Sequence, residues 1–191
     1  MIGPQLYVGS WRKFVDNGYL ANPKCLEIRT KLSPDFKDIY RSITGHSIRA
    51  AKEREALYEC NPNKIKTLMY LLQFHEKLND QIIVFCDRIS IIEYLAVTLK
   101  IPLLSGNTSI EDRNFVFDMF REGHFKTLLL SRIGDEAIDL PNANVAIEIN
   151  MHRGSRRQML QRLGRIMRPK EASSSESYNA IFYTVVTEDT N

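Results

Sequence analysis

Cysteine and long apolar runs are both scarce in this sequence of 191 residues. Its three cysteines, Cys25, Cys60 and Cys86, are widely spaced and form no Cys-x-x-Cys pair, and the four histidines do not cluster. We therefore expect reduced thiols in an intracellular protein, without a disulfide framework or a structural zinc site. No run approaches the roughly 20 apolar residues that span a bilayer, and no basic N-terminal region precedes an apolar one. The sequence thus predicts neither a membrane partner nor a signal peptide.

Both common glycine-rich phosphate-binding loops are also absent. No glycine is followed by lysine, which excludes Gly-x-x-x-x-Gly-Lys, and no Gly-x-Gly-x-x-Gly occurs. Residues 82–87 are similar to a strand that ends in a magnesium-binding aspartate, but such a strand works beside a phosphate loop. Residues 134–136 resemble an acidic catalytic pair, yet they lack the four apolar residues that such a pair follows. The chain therefore has no evident phosphate-cradling loop of its own.

Acidic residues are missing from one window of the chain. Residues 151–170 carry seven Lys/Arg and no Asp/Glu, residues 1–150 are balanced with 19 of each, and residues 171–191 carry four acids and no Lys/Arg. The net charge of +3 therefore conceals one local basic segment, which favours a local anion site. Apolar residues make up 43% and charged residues 26%, a balance typical of one globular domain with at most an appendage.

Strand-like and helix-like patterns alternate from about residue 61 to the end of the sequence. This alternation predicts an α/β fold, a parallel sheet with helices on both faces. We expect strands at 81–86, 101–104, 127–131, 144–149 and 180–186, and helices at 61–79, 89–99, 108–122 and 155–168. Residues 1–32 read as irregular, and a helical stretch from Ser33 to about Glu59 is interrupted near Gly45. We divide the chain into an N-terminal helical extension, 1–60, and an α/β unit, 61–191, which form one compact body.

Ligands of parallel α/β sheets collect at the carboxyl ends of the strands. We expect small and polar residues at these ends to line a site: Asp87, Ser105, Gly106, Ser131, Arg132 and Asn150.

The predicted helix 155–168 separates into two faces at about 100° per residue. Arg157, Gln161, Arg165 and Arg168 converge on one line, and the apolar residues occupy the opposite arc. The strong cations on this line are all arginine, whose planar fork suits phosphate. Gly164, beside them, costs a helix about 1 kcal/mol relative to alanine and leaves room for a close approach. The pattern favours an anion-facing surface; the alternative is a solvated face favoured by the helix dipole.

These residues carry a family resemblance. Residues 161–168, Gln-Arg-Leu-Gly-Arg-Ile-Met-Arg, match motif VI of superfamily-two helicases, Q-R-x-G-R-x-x-R. Residues 129–141 are similar to motif V and residues 82–87 to motif IV. Residues 61–64, 131–135, 138–141, 154–158 and 178–180 resemble the XPB family of DNA helicases and translocases, which are subunits of the transcription and repair factor TFIIH. The resemblance extends over essentially the whole chain.

The resemblance implies a RecA-like fold and half of an ATP site. ATP with Mg would lie between two RecA-like domains, and this chain would be the second, C-terminal one. By resemblance, Arg165 and Arg168 would be catalytic arginine fingers at the γ-phosphate, and Gln161, Asp139 and Gly134 would bind ATP. The phosphate loop and the Mg ligands would come from the N-terminal RecA-like domain, so this chain alone would not hydrolyse ATP.

The resemblance also implies DNA as a partner. Candidate DNA contacts are Ser105, Gly106, Ser131, Arg132 and Arg157, because small residues let backbone amides meet phosphates and arginine adds charge. We expect binding that is independent of sequence and sensitive to salt. The same resemblance implies that other TFIIH subunits are partners and that the protein is nuclear. It also implies 3′–5′ polarity and roles in nucleotide excision repair and transcription initiation. The alternatives are a protein-docking module of TFIIH and the C-terminal domain of an RNA helicase.

Overall fold

The computed structural model describes residues 23–131, 143–150 and 180–188. Six described strands form one sheet, in the order β1-β6-β5-β2-β4-β3, and every pair is parallel. The strands are β1 (Pro23–Thr30), β2 (Ile82–Cys86), β3 (Leu103–Leu104), β4 (Thr127–Leu130), β5 (Val145–Asn150) and β6 (Ala180–Thr187). The predicted parallel sheet is confirmed, and the strands expected from residue 81 onward lie within a few residues of their predicted positions.

Five described helices connect or flank these strands: α1 (Pro34–Ser42), α2 (Ile48–Glu59), α3 (Pro62–Lys77), α4 (Ile89–Leu99) and α5 (Ile110–Arg121). The break between α1 and α2 contains Gly45 at φ +83°, a left-handed conformation that glycine adopts without strain. The helical stretch interrupted near Gly45 is therefore confirmed. None of the described helices has the length and apolarity that a membrane crossing requires.

Helices cover both faces of the sheet because the side chains of a strand alternate between its faces. Ile83 and Phe85 of β2 belong to a core cluster with Phe117 and Phe120 of α5. Ile82, Val84 and Cys86 point the other way and form a second cluster with α3 and α4, through Leu68, Leu72, Ile92 and Leu95. All five residues of β2 are buried, as its continuous apolar run predicts.

The expectation that residues 1–32 are irregular is wrong for Pro23–Thr30, which form β1 at the edge of the sheet. The strand pairs in parallel with β6 along its whole length, from Pro23 opposite Ala180 to Thr30 opposite Thr187. Leu26 and Ile28 are half-buried, whereas Cys25, Glu27 and Arg29 are exposed. Such a strand buries one face only, so it lacks the apolar run that marks the central strands. The boundary that we placed at residue 60 stays a prediction.

Asn61 joins three elements at the carboxyl edge of the sheet. Its side-chain oxygen accepts hydrogen bonds from the backbone N–H groups of Asn63 (3.2 Å) and Ser33 (3.3 Å), and its amide donates to the carbonyl of Lys31 (3.0 Å) and to Thr187 Oγ1 (3.2 Å). Asn61 is completely buried. It therefore caps α3 and ties this helix to the ends of β1 and β6.

The start of α5 differs in detail from its prediction. We expected this helix to begin at residue 108, but Ser109 is the N-cap, and its hydroxyl accepts from the N–H of Asp112 (3.0 Å). The hydroxyl of Thr108 instead accepts from the N–H of Ser105 (2.9 Å). Either residue type can cap a helix, and here the turn after β3 uses the threonine.

Candidate functional site

A cleft of about 490 Å³ lies at the carboxyl edge of the sheet. It is formed where β2, β4 and β3 end side by side, because neighbouring parallel strands send their exit loops to the same edge. The lining residues come from three loops and from the first turn of α4. Asp87 and Arg88 follow β2, Ile89 and Ser90 begin α4, Ser105, Gly106 and Asn107 follow β3, and Ser131 follows β4. The structure therefore brings together Ser105, Gly106 and Ser131, as we expected.

The loop after β3 is a tight turn that presents its tip to the cleft. Ser105 and Thr108 exchange two hydrogen bonds: the Ser105 N–H donates to Thr108 Oγ1 (2.9 Å), and the Thr108 N–H donates to the Ser105 carbonyl (3.0 Å). The N–H of Asn107 donates to Ser105 Oγ (3.3 Å). A Cβ atom placed on Gly106 would meet nothing within 4 Å, so the tip is open. The protein itself thus leaves space for a ligand to approach this backbone.

Ser131 forms the inner wall of the cleft. It is 5% exposed, and its N–H donates to the carbonyl of Leu104 at 3.0 Å. This bond continues the β3–β4 pairing by one residue and brings Ser131 beside the turn that starts at Ser105. Asp87 is also buried on this wall, 8% exposed.

Arg88 is a cleft residue that the sequence reasoning missed. Its Nε and Nη2 atoms both contact Oε2 of Glu59, the last residue of α2. The glutamate side chain is 3% exposed and that of the arginine 32%. Arg88 also occupies the N-cap position of α4 without a side-chain cap, and the first residues of this helix, Ile89 and Ser90, line the cleft. The edge argument that led us to Asp87 could have pointed to its neighbour.

A buried cation lies in the first turn of α3. Lys64 is 4% exposed, and desolvation lowers its pKa from the usual 10.5 to about 8. The carboxylate of Glu59 opposes this shift by favouring the charged amine. Glu59 is therefore a buried negative charge that acts on two cations, Arg88 and Lys64.

Part of the predicted site lies outside the described residues. This holds for the candidate arginine fingers Arg165 and Arg168, the candidate ATP ligands Gly134, Asp139 and Gln161, and the candidate DNA contacts Arg132 and Arg157. Within 23–131, 143–150 and 180–188, no group of three or more His, Cys, Asp or Glu side chains could hold a metal ion.

Solved structures match the fold of the chain. The Sulfolobus solfataricus SWI2/SNF2 ATPase core in complex with dsDNA aligns with a TM-score of 0.62 and 16% identity, over 86% of this chain and 41% of that one. The C-terminal part of the Fun30 ATPase domain aligns with a TM-score of 0.55 and 21% identity, over 81% of this chain and 48% of that one. The RecA-like fold expected from the resemblance is confirmed.

Curated relatives match the whole chain. The zebrafish (Danio rerio) general transcription and DNA repair factor IIH helicase/translocase subunit XPB is 41% identical over 191 residues, which are 100% of this chain and 24% of that protein. The Saccharomyces cerevisiae subunit XPB/SSL2 is 37% identical and is covered to 22%. The chain therefore spans about a quarter of the length of these relatives. A family model described as ERCC3/RAD25/XPB C-terminal helicase matches residues 14–191, and the chain belongs to this family.

Proposed function

We propose that this chain is the C-terminal motor domain of an ATP-dependent DNA helicase or translocase, and that the cleft between the ends of β2, β3 and β4 holds the phosphates of one DNA strand. The observation that carries the proposal is the convergence of Ser105, Gly106 and Ser131 on this one cleft. Membership in a family of helicase C-terminal domains supports the motor role.

The chemistry of the cleft suits a phosphodiester backbone. Three loops and the first turn of α4 supply hydrogen-bond donors to the cleft. These are the hydroxyl groups of Ser90, Ser105 and Ser131, the side chain of Asn107 and the guanidinium of Arg88. The open backbone at Gly106 adds a place where a phosphate can approach closely. None of the described residues that line the cleft is Phe, Trp or Tyr, so these residues provide no aromatic stacking platform. Contacts of this kind position the strand and do not read its sequence.

The ATP half of the proposal rests on the roles that the resemblance to motifs V and VI implies for five residues. Arg165 and Arg168 stabilise the charge on the γ-phosphate, Gln161 closes the site, and Asp139 and Gly134 contact the nucleotide. Phosphoryl transfer depends on positioning and charge, and an arginine finger supplies about 10³–10⁵ in rate. The phosphate loop and the Mg ligands belong to the N-terminal RecA-like domain. ATP then favours the closed pair of domains, and its hydrolysis releases that bias.

The names of the curated relatives support a proposal about the wider setting. Those in zebrafish and yeast are named helicase/translocase subunits of general transcription and DNA repair factor IIH. We accordingly propose that the whole protein works in the nucleus with other TFIIH subunits, in nucleotide excision repair and transcription initiation, with 3′–5′ polarity.

We call the proposed binding of DNA phosphates in the cleft the DNA grip. It is tested by the fluorescence anisotropy of a labelled single-stranded DNA, titrated with the 191-residue chain across a salt series. We expect binding that weakens as salt rises and that is the same for oligonucleotides of different sequence. Binding without salt dependence, or clear preference for one sequence, contradicts a phosphate grip. A matched RNA strand is the comparison: tighter binding to RNA would favour an RNA helicase domain instead.

A further inference from the structure

We infer that Glu59 sets the positive charge that Arg88 offers to DNA, so that the cleft holds a phosphate weakly enough to release it. This inference rests on the proposed DNA grip. It gives Glu59, at the end of α2 and outside the cleft, the role of a positioning residue.

The geometry of the pair supports this role. Both Nε and Nη2 of Arg88 are directed at one carboxylate oxygen of Glu59. The glutamate is almost completely buried, whereas about a third of the arginine side chain remains accessible where Arg88 lines the cleft. One side of the guanidinium is thus used by the protein, and the other side faces the proposed path of DNA.

The electrostatics follow from the burial of Glu59. A buried carboxylate is poorly screened by salt and water, so it cancels most of the field of a cation in direct contact with it. Arg88 can still donate a hydrogen bond to a phosphate, but the net charge of the Glu59–Arg88 pair adds little electrostatic attraction to it. A motor that steps along DNA must release each phosphate that it holds. An arginine whose charge is neutralised can orient the strand while adding little to the affinity for DNA, so the phosphate is released easily.

The pair also links two parts of the fold. Glu59 ends α2, in the helical extension, and Arg88 is the N-cap residue that directly precedes α4. A movement of α2 that separated the two side chains would expose the charge of Arg88 to the cleft. The strength of the DNA grip would then depend on the position of the extension.

The experiment compares three variants of the 191-residue chain: Glu59→Gln, Arg88→Gln and the double variant. Glu59→Gln removes the neutralising charge and keeps the side-chain volume. Glu27→Gln is the matched control, because Glu27 is also paired with an arginine, Arg29 (2.7 Å), but lies on the exposed edge strand β1, with β6 and β5 between it and β2. Both single Glu→Gln changes alter the net charge of the chain by the same amount.

The assay should be run at about pH 6.5, where Lys64 remains charged. Its pKa of about 8 falls further when Glu59 is neutralised, because Glu59 favours the charged amine. Circular dichroism and thermal midpoints establish that each variant is folded. Dissociation constants for single-stranded DNA are then measured across a salt series.

We expect Glu59→Gln to bind DNA about fivefold more tightly at about 0.1 M salt and to steepen the logarithmic salt slope by about 0.7, the value for one additional charge on single-stranded DNA. Arg88→Gln should shift both quantities by a similar amount in the opposite direction. The double variant should return to the wild-type slope, since the pair as a whole is neutral. Glu27→Gln should produce a much smaller change than Glu59→Gln.

Two results would overturn the inference while leaving the DNA grip intact. One is a folded Glu59→Gln protein with the wild-type slope. The other, decisive even if Glu59→Gln fails to fold, is a double variant as weak as Arg88→Gln, which would mean that Arg88 contributes its full charge despite Glu59. A wild-type chain that shows no salt-dependent binding at all contradicts the DNA grip itself, and the inference with it.

Discussion

The backbone N–H of Ser131 donates to the carbonyl of Leu104 at 3.0 Å, just where β4 and β3 end. This bond brings two loops that are far apart in sequence into one cleft wall. Ser131 is buried although it follows the last residue of β4, and it shares the cleft wall with the turn that begins at Ser105. The position of Ser131 is thus set by the sheet, and its hydroxyl is available for function.

Replacement of Ser131 by alanine should weaken DNA binding and leave the fold intact. The loss of one hydrogen bond costs about 1 kcal/mol, or roughly a fivefold change in affinity. Anisotropy titrations measure the affinity, and thermal unfolding measures the stability. Ser42→Ala is the control, because Ser42 is an exposed serine at the end of α1. Equal affinities of Ser131→Ala and the wild type would remove this hydroxyl from the proposed phosphate grip.

Gly106→Ala should change the affinity for DNA without changing the stability of the fold. The added Cβ meets no atom of the protein within 4 Å, and Gly106 has no left-handed backbone conformation to preserve. We therefore expect the free energy of unfolding to change by no more than about 0.5 kcal/mol, while DNA affinity falls because the methyl group obstructs close approach. Gly45→Ala is the contrasting control: its φ of +83° should make alanine destabilising without an effect on DNA binding. Unchanged DNA affinity in Gly106→Ala would show that no phosphate approaches this backbone.

The central strands were predictable because both of their faces are buried and their sequence is accordingly mostly apolar. Residues 82–86 are all buried, so every position is apolar and the run is visible in the sequence alone. β1 was missed because only one of its faces is covered and its partner, β6, lies 157 residues further along the chain. Short-range patterns carry no information about such a pairing.

The candidate site was predictable to a similar extent. Small residues after β3 and β4 could be placed at one edge from the topology that the alternation predicts, and they do meet there. The contact between Glu59 and Arg88 could not be foreseen, because it depends on how α2 packs beside the loop after β2. Glu59 reads in the sequence as one more acid in a charged helix, although it is buried in the structure.

The stability of the chain should depend on pH through Lys64. Its pKa is about 8 in the folded protein and 10.5 in its unperturbed state. Between these values the unfolded chain binds more protons than the folded chain, so this group makes stability rise with pH. The charged amine is a cost to folding below about pH 8, and that cost is removed progressively above it. Lys64→Met has no such group and is the reference.

We expect the stability of the wild type to rise by about 1.6 kcal/mol relative to Lys64→Met between about pH 8 and 9.5. The slope over this range grows from about half to nearly the full 1.36 kcal/mol per pH unit. Urea unfolding of both proteins at a series of pH values measures this difference. The Cys25 thiol, whose pKa burial raises, titrates alike in both proteins and cancels in the comparison. Cys60 is replaced by alanine in both proteins, because burial raises the pKa of its thiol and Lys64 lowers it. A difference in stability that stays constant over this range would show that Lys64 is not desolvated as the structure indicates.

The arginine-finger assignment predicts a division between binding and chemistry. In a protein that contains both motor domains, Arg168→Ala should reduce DNA-stimulated ATP hydrolysis by about 10³-fold or more, because the charge on the transferring phosphoryl group loses its partner. DNA binding without nucleotide should change little, since Arg168 belongs to the ATP side of the proposal. Arg49→Ala is the control, because the Arg49 side chain is 89% exposed on α2. Arg168→Lys keeps the charge but loses the planar fork, so it should rescue only part of the rate. Hydrolysis at the wild-type rate by Arg168→Ala, or ATP turnover by the 191-residue chain on its own, would contradict an active site shared between two domains.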